Sequence, residues 1–262
     1  MQRESYRLGT IVRITLYGED SEKLNKVLDQ SMKEIERLEN LLSVNIPSSD
    51  VSLVNRALGE YPVKVSEETG FLLERALEWS ERTGGAFDPT VGKIVKLWGM
   101  GTESAAVPDP EQLKEAVDMT DFRKVSVLHE VNGTFVQTAK GQRIDLGGIA
   151  KGYITEKVKA LLINEGVSSA LIDLGGNIAV FGNSPKPGKW KLGLQHPFMP
   201  RGEYFGVVEV SDVSVVTSGA YERYFESGGV RYHHIFDPAT GYPAPSDLAS
   251  VTIISEDSTD AD

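Results

Sequence analysis

The sequence predicts an α+β fold in which a mostly antiparallel sheet is accompanied by a few long helices. A few long segments carry apolar residues at helical spacing, whereas many short segments alternate apolar and polar residues as strands do. In the second half of the chain the strand segments follow one another directly. The regular strand–helix alternation of a parallel sheet is therefore not expected.

The first two elements follow from hydrophobic periodicity. Residues 8–18 alternate apolar and polar side chains, which predicts a half-buried strand. Residues 21–42 then place apolar side chains at helical spacing, so a long amphipathic helix is expected there. A polar loop at 43–50 follows the helix.

Capping residues and turn residues mark the next elements. A helix is predicted over 66–83, with Ser66 as the cap of its first turn. Asp109 and Pro110 are placed to start another helix, since aspartate caps and proline suits the first helical position. Two β-type segments on either side of 131–133 predict a hairpin.

The central segment contains the tetrapeptide Asp-Leu-Gly-Gly twice, at 145–148 and 173–176. A short strand is expected before the first copy and a helix of about 15 residues after it. Two further strands are expected on either side of the second copy, and more strands continue to the end of the chain.

Composition narrows the possible functions. The chain has 27 Lys and Arg against 38 Asp and Glu, a net charge of −11, so nucleic acid is not an expected partner. The absence of cysteine excludes disulfides, zinc–thiolate sites and thiol nucleophiles. No apolar run approaches the ~20 residues that span a bilayer. The N-terminal segment lacks the apolar core of a signal peptide, so any export segment is expected to have been removed.

The pattern Phe-Asp-Pro-x-x-Gly occurs twice, at 87–92 (the first corner) and at 236–241 (the second corner). Aspartate accepts from main-chain N–H groups, proline fixes φ and glycine supplies a positive φ, so each corner predicts a rigid turn. His233 and His234 precede the second corner in a predicted strand, where one side chain would point inward and the other outward. A histidine at this place is either a general base or a core side chain.

Three other segments are candidates for binding an anion or a cation. DLGGIAKG at 145–152 places glycines and Lys151 at a helix start, which suits a phosphate or is a tight strand–helix junction. It matches neither the dinucleotide-binding fingerprint nor the P-loop. Arg223 is a possible phosphate ligand or a surface ion-pair partner. The acidic cluster at 256–262 suits Mg²⁺ or is a solvated tail.

Taken in order, these motifs resemble the ApbE family of flavin transferases. The motifs are GGAFDPTVGKIVKLWGMG, RIDLGGIAKGY, LIDLGGNIAVFG, VVTSGAYERYF, HHIFDPATGYP and a final TDAD. The resemblance runs from residue 8 to the last residue. It implies a single domain over 1–262, with a T-fold-like architecture and an FAD cleft between lobes.

The resemblance also implies a reaction. It is the Mg²⁺-dependent transfer of FMN from FAD to a Ser or Thr hydroxyl of an acceptor protein, with release of AMP. FAD is then a substrate, and the partner is the acceptor protein. Family members usually work on the extracytoplasmic face of the cytoplasmic membrane, often as lipoproteins. This chain has no export signal, so membrane association would need an N-terminal anchor that is absent here.

Matching positions carry the family's functional residues onto this sequence. His234 matches the histidine required for transfer. Asp262 and the main-chain oxygen near Gly148 match metal ligands. The positions that match FAD contacts are Leu8, Asn45, Ala86, Phe87, Asp88, Asp145, Lys151 and Phe236.

Two departures from the family pattern leave alternatives open. Asn45 stands where many members carry a tyrosine against the flavin, and a polar residue there accompanies hydrolysis of FAD to FMN and AMP. The family's last motif continues to a threonine beyond the residue that matches Asp262, so a C-terminal segment is expected to be missing. The incomplete metal site favours the other alternative, a non-catalytic flavin carrier.

Overall fold

The computed structural model describes residues 1–200 and 202–262. Helices and antiparallel strands are mixed along the chain, as the α+β prediction requires. The strands within the described residues are β1 (Gln2–Arg7), β2 (Thr10–Tyr17), β3 (Val63–Val65), β4 (Ser126–Glu130), β5 (Gly133–Gln137), β6 (Ser169–Leu174), β7 (Asn177–Phe181), β8 (Trp190–Gln195), β9 (Tyr204–Val210), β10 (Ser214–Gly219), β11 (Tyr224–Ser227), β12 (Val230–His233) and β13 (Ser250–Ser255). The α-helices are α1 (Ser21–Leu42), α2 (Asp50–Ala57), α3 (Glu67–Arg82), α4 (Gly92–Trp98), α5 (Pro110–Asp118), α6 (Ala150–Asn164) and α7 (Ser258–Ala261).

The chain forms two compact units, and each is built from segments that are distant in sequence. The first unit contains Met1–Glu39, Ile149–Gly219 and Ala249–Asp262. The second unit contains Asn40–Gly148 and Ala220–Leu248. The boundary between Gly148 and Ile149 falls inside the DLGGIAKG motif.

The first unit is organised by a six-stranded antiparallel sheet in the order β1-β2-β6-β7-β10-β13. Alternate residues of β2 are buried, as predicted, and Ile14 pairs with Ile172 of β6. The helix α6 packs against β6, β7 and α7. A second antiparallel pair, β8 and β9, contributes Trp190 and Val210 to an apolar cluster with Val180.

The second unit combines a three-stranded sheet, β3-β5-β4, with the hairpin β11–β12 and the helices α2 to α5. Ser66 caps α3 as predicted, because its hydroxyl accepts from the N–H of Thr69 at 3.1 Å. Asp109 caps α5 in the same way. An apolar cluster between α4 and α5 has the fully buried Trp98 at its centre.

Two local predictions are wrong, and two short helices were missed. The segment before Asp145 is not a strand, since it makes only one parallel bridge, between Arg143 and Val91. The strand β12 ends at His233, so His233 and His234 do not alternate across a strand and both are partly exposed. The sequence reasoning also left out α2 and α4, which are only 8 and 7 residues long.

Among the described residues, no helix is long and apolar enough to cross a membrane.

Candidate functional site

The first corner is fixed by a buried aspartate. One carboxylate oxygen of Asp88 accepts from the N–H and the hydroxyl of Thr90, at 2.7 and 2.6 Å. The other accepts from the N–H of Phe122 at 3.1 Å. Only 6% of Asp88 is exposed, so these donors replace water as partners of its charge. In this structure Asp88 holds the corner, and its predicted contact with FAD stays a prediction.

The first corner also contacts the first Asp-Leu-Gly-Gly copy. The carbonyl of Pro89 accepts from the N–H of Asp145 at 2.7 Å. Gly148 lies against the ring of Phe87, since a Cβ at Gly148 would come within 3.2 Å of it. Four residues predicted from the sequence are thus brought together in the second unit: Phe87, Asp88, Asp145 and Gly148.

The electrostatics of Asp145 differ from those of an exposed carboxylate. Burial raises the pKa of Asp145, and the hydrogen bond from the N–H of Gly147 at 2.7 Å opposes that rise. A raised pKa is typical of functional sites and of buried structural carboxylates alike. The neighbouring Gly147 and Gly148 are exposed, and a Cβ at Gly147 would lie 2.9 Å from Oδ1 of Asp145, so the main chain passes close to this carboxyl.

The helix α4 connects the two corners. The first corner ends at Gly92, where α4 begins, and the indole N–H of Trp98 at its other end donates to the carbonyl of Gly241 at 2.7 Å. Seven helical residues span about 10 Å. Trp98 also stacks on Phe236, with ring centroids 5.7 Å apart. The second corner is therefore packed against the end of a helix that starts in the first.

The main-chain oxygen of Arg223 holds His234 in place. Its N–H and its ring Nδ1 both lie 3.1 Å from the carbonyl oxygen of Arg223. A carbonyl only accepts, so Nδ1 carries the ring hydrogen and Nε2 carries the lone pair. This is the tautomer that a general base needs, with Nε2 as the proton acceptor.

His233, the other member of the pair, differs from His234. Desolvation lowers the pKa of His233, and a main-chain hydrogen bond with Ala244 opposes that shift. Its Nδ1 accepts from the N–H of Ile235 at 3.3 Å. Through these bonds, His233 stabilises the main chain that leads into the second corner.

In the first unit, the start of α6 binds a carboxylate. Asp262 accepts from the ammonium of Lys151 at 2.6 Å and from the N–H of Gly152 at 2.9 Å. The side chain of Asp262 is 1% exposed and that of Lys151 is 27% exposed. The helix start thus holds an anion, which is one of the two alternatives that its sequence left open, and here the anion is a carboxylate of the chain itself.

Close packing of α7 on α6 puts Asp262 in this position. A Cβ at Gly152 would lie 2.2 Å from the carbonyl oxygen of Ser258, so only glycine permits the approach. The side-chain oxygen of Asn177 accepts from the hydroxyls of Ser258 and Thr155, at 2.7 and 2.9 Å. The second Asp-Leu-Gly-Gly copy, which leads directly into Asn177, therefore supports the Lys151–Asp262 pair.

The remaining predicted residues lie in loops. Leu8, in the first unit, has a φ of 54°, and its N–H donates to Glu39 at 2.7 Å. Asn45 and Ala86, in the second unit, are exposed. Asn45 donates its N–H to the hydroxyl of Ser43 at 3.2 Å. Contacts of all three with FAD stay predictions.

Sequence reasoning missed several supporting residues. Trp98, Asn177 and Gly152 were not singled out, although each lies in one of the family motifs: GGAFDPTVGKIVKLWGMG, LIDLGGNIAVFG and RIDLGGIAKGY. Arg223 was considered for its guanidinium, whereas its carbonyl is what binds His234. In the acidic tail, Asp257 caps α7 by accepting from two N–H groups. Among the described residues, no group of three or more His, Cys, Asp or Glu side chains could hold a metal.

Comparisons with known proteins identify the family. Residues 8–262 match the ApbE family. The chain belongs to this family. An FAD:protein FMN transferase of Treponema pallidum is 41% identical over 268 aligned positions, which cover 97% of this chain and 74% of that protein. A protein of the same name from Klebsiella pneumoniae is 38% identical and is covered to 77%.

Solved ApbE structures have the same fold. The crystal structure of the ApbE protein of Thermotoga maritima is 35% identical, with a TM-score of 0.90, and the match covers all of this chain and 83% of that one. The flavinyl transferase ApbE of Pseudomonas stutzeri, in its apo form, is 26% identical with a TM-score of 0.85, over all of this chain and 81% of that one. These matches confirm the predicted α+β fold.

Proposed function

We propose that this protein transfers FMN from FAD to an acceptor protein and releases AMP. The observation that carries the proposal is the ApbE match over residues 8–262, because this range includes every predicted site residue. The relatives from Treponema pallidum and Klebsiella pneumoniae bear the name of this reaction.

In the proposed reaction, His234 is the general base. Nε2 of His234 takes the proton of a Ser or Thr hydroxyl on the acceptor, while the Arg223 carbonyl holds Nδ1–H and so fixes the ring. The hydroxyl oxygen then bonds to the phosphorus of the FMN half. The bond from that phosphorus to the bridging oxygen breaks, and the bridging oxygen leaves with AMP.

Mg²⁺ fits the donor chemistry of Asp262. Each carboxylate oxygen accepts one hydrogen bond and keeps a further lone pair. Mg²⁺ commonly uses one or two carboxylates together with substrate phosphates and water. The Asp262 side chain is 1% exposed and bound by Lys151, so Mg²⁺ would have to take the place of the ammonium at this carboxylate. When bound, Mg²⁺ would offset the negative charge of the pyrophosphate. The role of the Gly148 carbonyl as a second ligand remains part of the proposal.

A second candidate function is the hydrolysis of FAD to FMN and AMP. Asn45 favours it, since this exposed polar side chain offers no aromatic face to the flavin. The two reactions differ in the nucleophile, which is water in hydrolysis and the acceptor hydroxyl in transfer. Release of AMP from FAD and Mg²⁺ alone, without an acceptor, would identify the hydrolase.

The proposed transfer is tested with His234→Ala. We expect the variant to bind FAD like the wild type and to form no FMN-labelled acceptor, judged by in-gel flavin fluorescence and by mass spectrometry of the acceptor. His129→Ala is the matched control, because His129 is an exposed histidine that bonds to Glu74. Normal labelling by His234→Ala would exclude His234 as the base.

An extracytoplasmic location is also part of the proposal, and it rests on the resemblance alone. Protease treatment of intact cells and of cells with a permeabilised envelope tests it. We expect digestion once the outer barrier is opened and before the cytoplasmic membrane is broken. Protection until the cytoplasmic membrane is broken would contradict this location.

A further inference from the structure

Trp98 touches the chain on both sides of His234. Its ring centroid lies 5.3 Å from that of Tyr232, two residues before His234, and 5.7 Å from that of Phe236, two residues after it. Trp98 is fully buried at the end of α4. The segment that carries His234 is therefore attached to one rigid side chain at both flanks.

A hydrogen bond fixes the orientation of the Trp98 ring in addition to these ring contacts. Its indole N–H donates to the carbonyl of Gly241, and its ring meets Tyr242 edge-on with centroids 5.7 Å apart. Gly241 has a φ of 72°, so the chain turns back at this residue. A shift of the indole would therefore move the turn at Gly241, and with it Phe236, which lies two residues after His234.

We propose that Trp98 is a positioning residue for His234, which it holds at the place where the acceptor proton is taken. This inference rests on the proposed function and adds a residue that does not touch the reacting atoms. Misplacement of a catalytic group by about 1 Å costs up to roughly a hundredfold in rate. Loss of the indole N–H is therefore expected to lower the rate of transfer more than the affinity for FAD.

Trp190 provides a matched control within the same chain. It is 4% exposed, and its indole N–H donates to the carbonyl of Gly182 at 2.9 Å. Its ring meets Tyr17 edge-on, also with centroids 5.7 Å apart. Trp98→Phe and Trp190→Phe thus each remove one N–H bond from a buried tryptophan to a glycine carbonyl, and of the two only Trp98 stacks on Tyr232 and Phe236, which flank His234.

The first measurement is the NMR spectrum of the histidine rings, since the chain has only 4 histidines. His234→Ala assigns the His234 signal. We expect Trp98→Phe to shift the signals of His233 and His234 and to leave those of His129 and His196 in place. Trp190→Phe should leave His233 and His234 unchanged. An unmoved His234 signal in Trp98→Phe would overturn the inference.

Gly241→Ala perturbs the same contact without changing Trp98, so the test survives if Trp98→Phe fails to fold. A Cβ at Gly241 would come within 2.8 Å of Leu113 and Val117, which pushes the second corner away from α5. The same two histidine signals are expected to shift. A shift confined to other histidines would contradict the inference.

Kinetics with FAD, Mg²⁺ and a candidate acceptor protein complete the test. We expect Trp98→Phe to lower kcat by roughly tenfold or more with little change in the Kd for FAD, and Trp190→Phe to change neither. Equal rates in the two variants would overturn the positioning role. If the wild type transfers no FMN, the proposed function fails, and the NMR spectra still report whether Trp98 sets the position of the His234 ring.

Discussion

The two Phe-Asp-Pro-x-x-Gly corners share a sequence and differ in what they do for the fold. In the first, Asp88 is buried and bonds both to its own turn and to Phe122, a distant residue. In the second, Asp237 is partly exposed, and among the described residues its carboxylate bonds within the turn, to Ala239 and Thr240. One corner is part of a core and the other is a local turn attached to Trp98.

The glycines of the two corners also have different tasks. Gly241 has a φ of 72°, the conformation that the pattern predicted. Gly92 does not have a positive φ. It is required because a Cβ there would lie 2.9 Å from the carbonyl oxygens of Arg143 and Ile144. The motif thus predicts a turn at both places, whereas the constraint that requires each residue of the motif depends on the neighbours that pack against it in the fold.

The largest expected difference is in the two aspartates. Asp88→Ala removes the acceptor of three bonds in a buried place, so we expect it to lower the free energy of unfolding by about 3 kcal/mol or more. Asp237→Ala should cost about 1 kcal/mol, since water replaces its oxygens. Urea unfolding of both variants measures the difference. Equal losses would mean that burial does not separate the two corners.

The two glycines should differ less. Gly92→Ala is expected to cost about 2 to 3 kcal/mol, because main-chain carbonyls cannot move aside as side chains do. Gly241→Ala should cost about 1 to 2 kcal/mol, because it needs a left-handed alanine and because the added Cβ would lie 2.8 Å from the side chains of Leu113 and Val117, which can shift. Thermal unfolding at one pH compares them. A larger loss at Gly241 would show that a left-handed alanine beside movable side chains costs more than a Cβ against main-chain carbonyls.

A smaller effect concerns Asp145, whose N–H bonds to the first corner. The pKa of Asp145 is raised from its usual value of 3.8. At a pH just above 3.8, Asp145 is therefore still protonated in the folded protein and already ionised in the unfolded chain. The free energy of unfolding therefore falls as pH rises through the window from 3.8 to the folded pKa. Asp145→Asn keeps an oxygen for Gly147 and removes the charge.

We expect Asp145→Asn to exceed the wild type in stability at about pH 7 and to match it near pH 3, where Asp145 is protonated in both states. Urea unfolding at the two pH values measures this. A variant less stable than the wild type at neutral pH would show that the carboxylate has a favourable partner instead.

The smallest expected effect is the titration of His233 beside the second corner. Its pKa is lowered from 6.5, so as pH falls below 6.5 the unfolded chain takes up a proton first. The free energy of unfolding therefore falls until the pH passes below the folded pKa, and then it levels off. His233→Gln should flatten this part of the curve. An unchanged curve in the variant would assign the dependence to another group.

Much of the fold could be predicted because its signals are local. The alternation in β2, the apolar stripe of α1 and the caps Ser66 and Asp109 each act within a few residues, and the structure confirms them. The short helices α2 and α4 were missed since 8 and 7 residues carry too few turns for a clear period.

The candidate site was predictable only in part. The order of the motifs led to Asp88, Asp145, Lys151 and His234 as candidate site residues. The family resemblance on which they rest is confirmed by the ApbE match. Their individual roles stay predictions. Trp98 gave no signal of its own, because a tryptophan at the end of a short helix is usually an ordinary core residue.

The sequence alone determined the corners, the caps and the hydrophobic periods, since each depends on residues that are neighbours along the chain. The tertiary structure decided which partners they have. Lys151 meets Asp262 across 111 residues, and Trp98 meets Gly241 across 143. Contacts over such separations arise only when the surrounding elements pack, and packing depends on the whole chain at once.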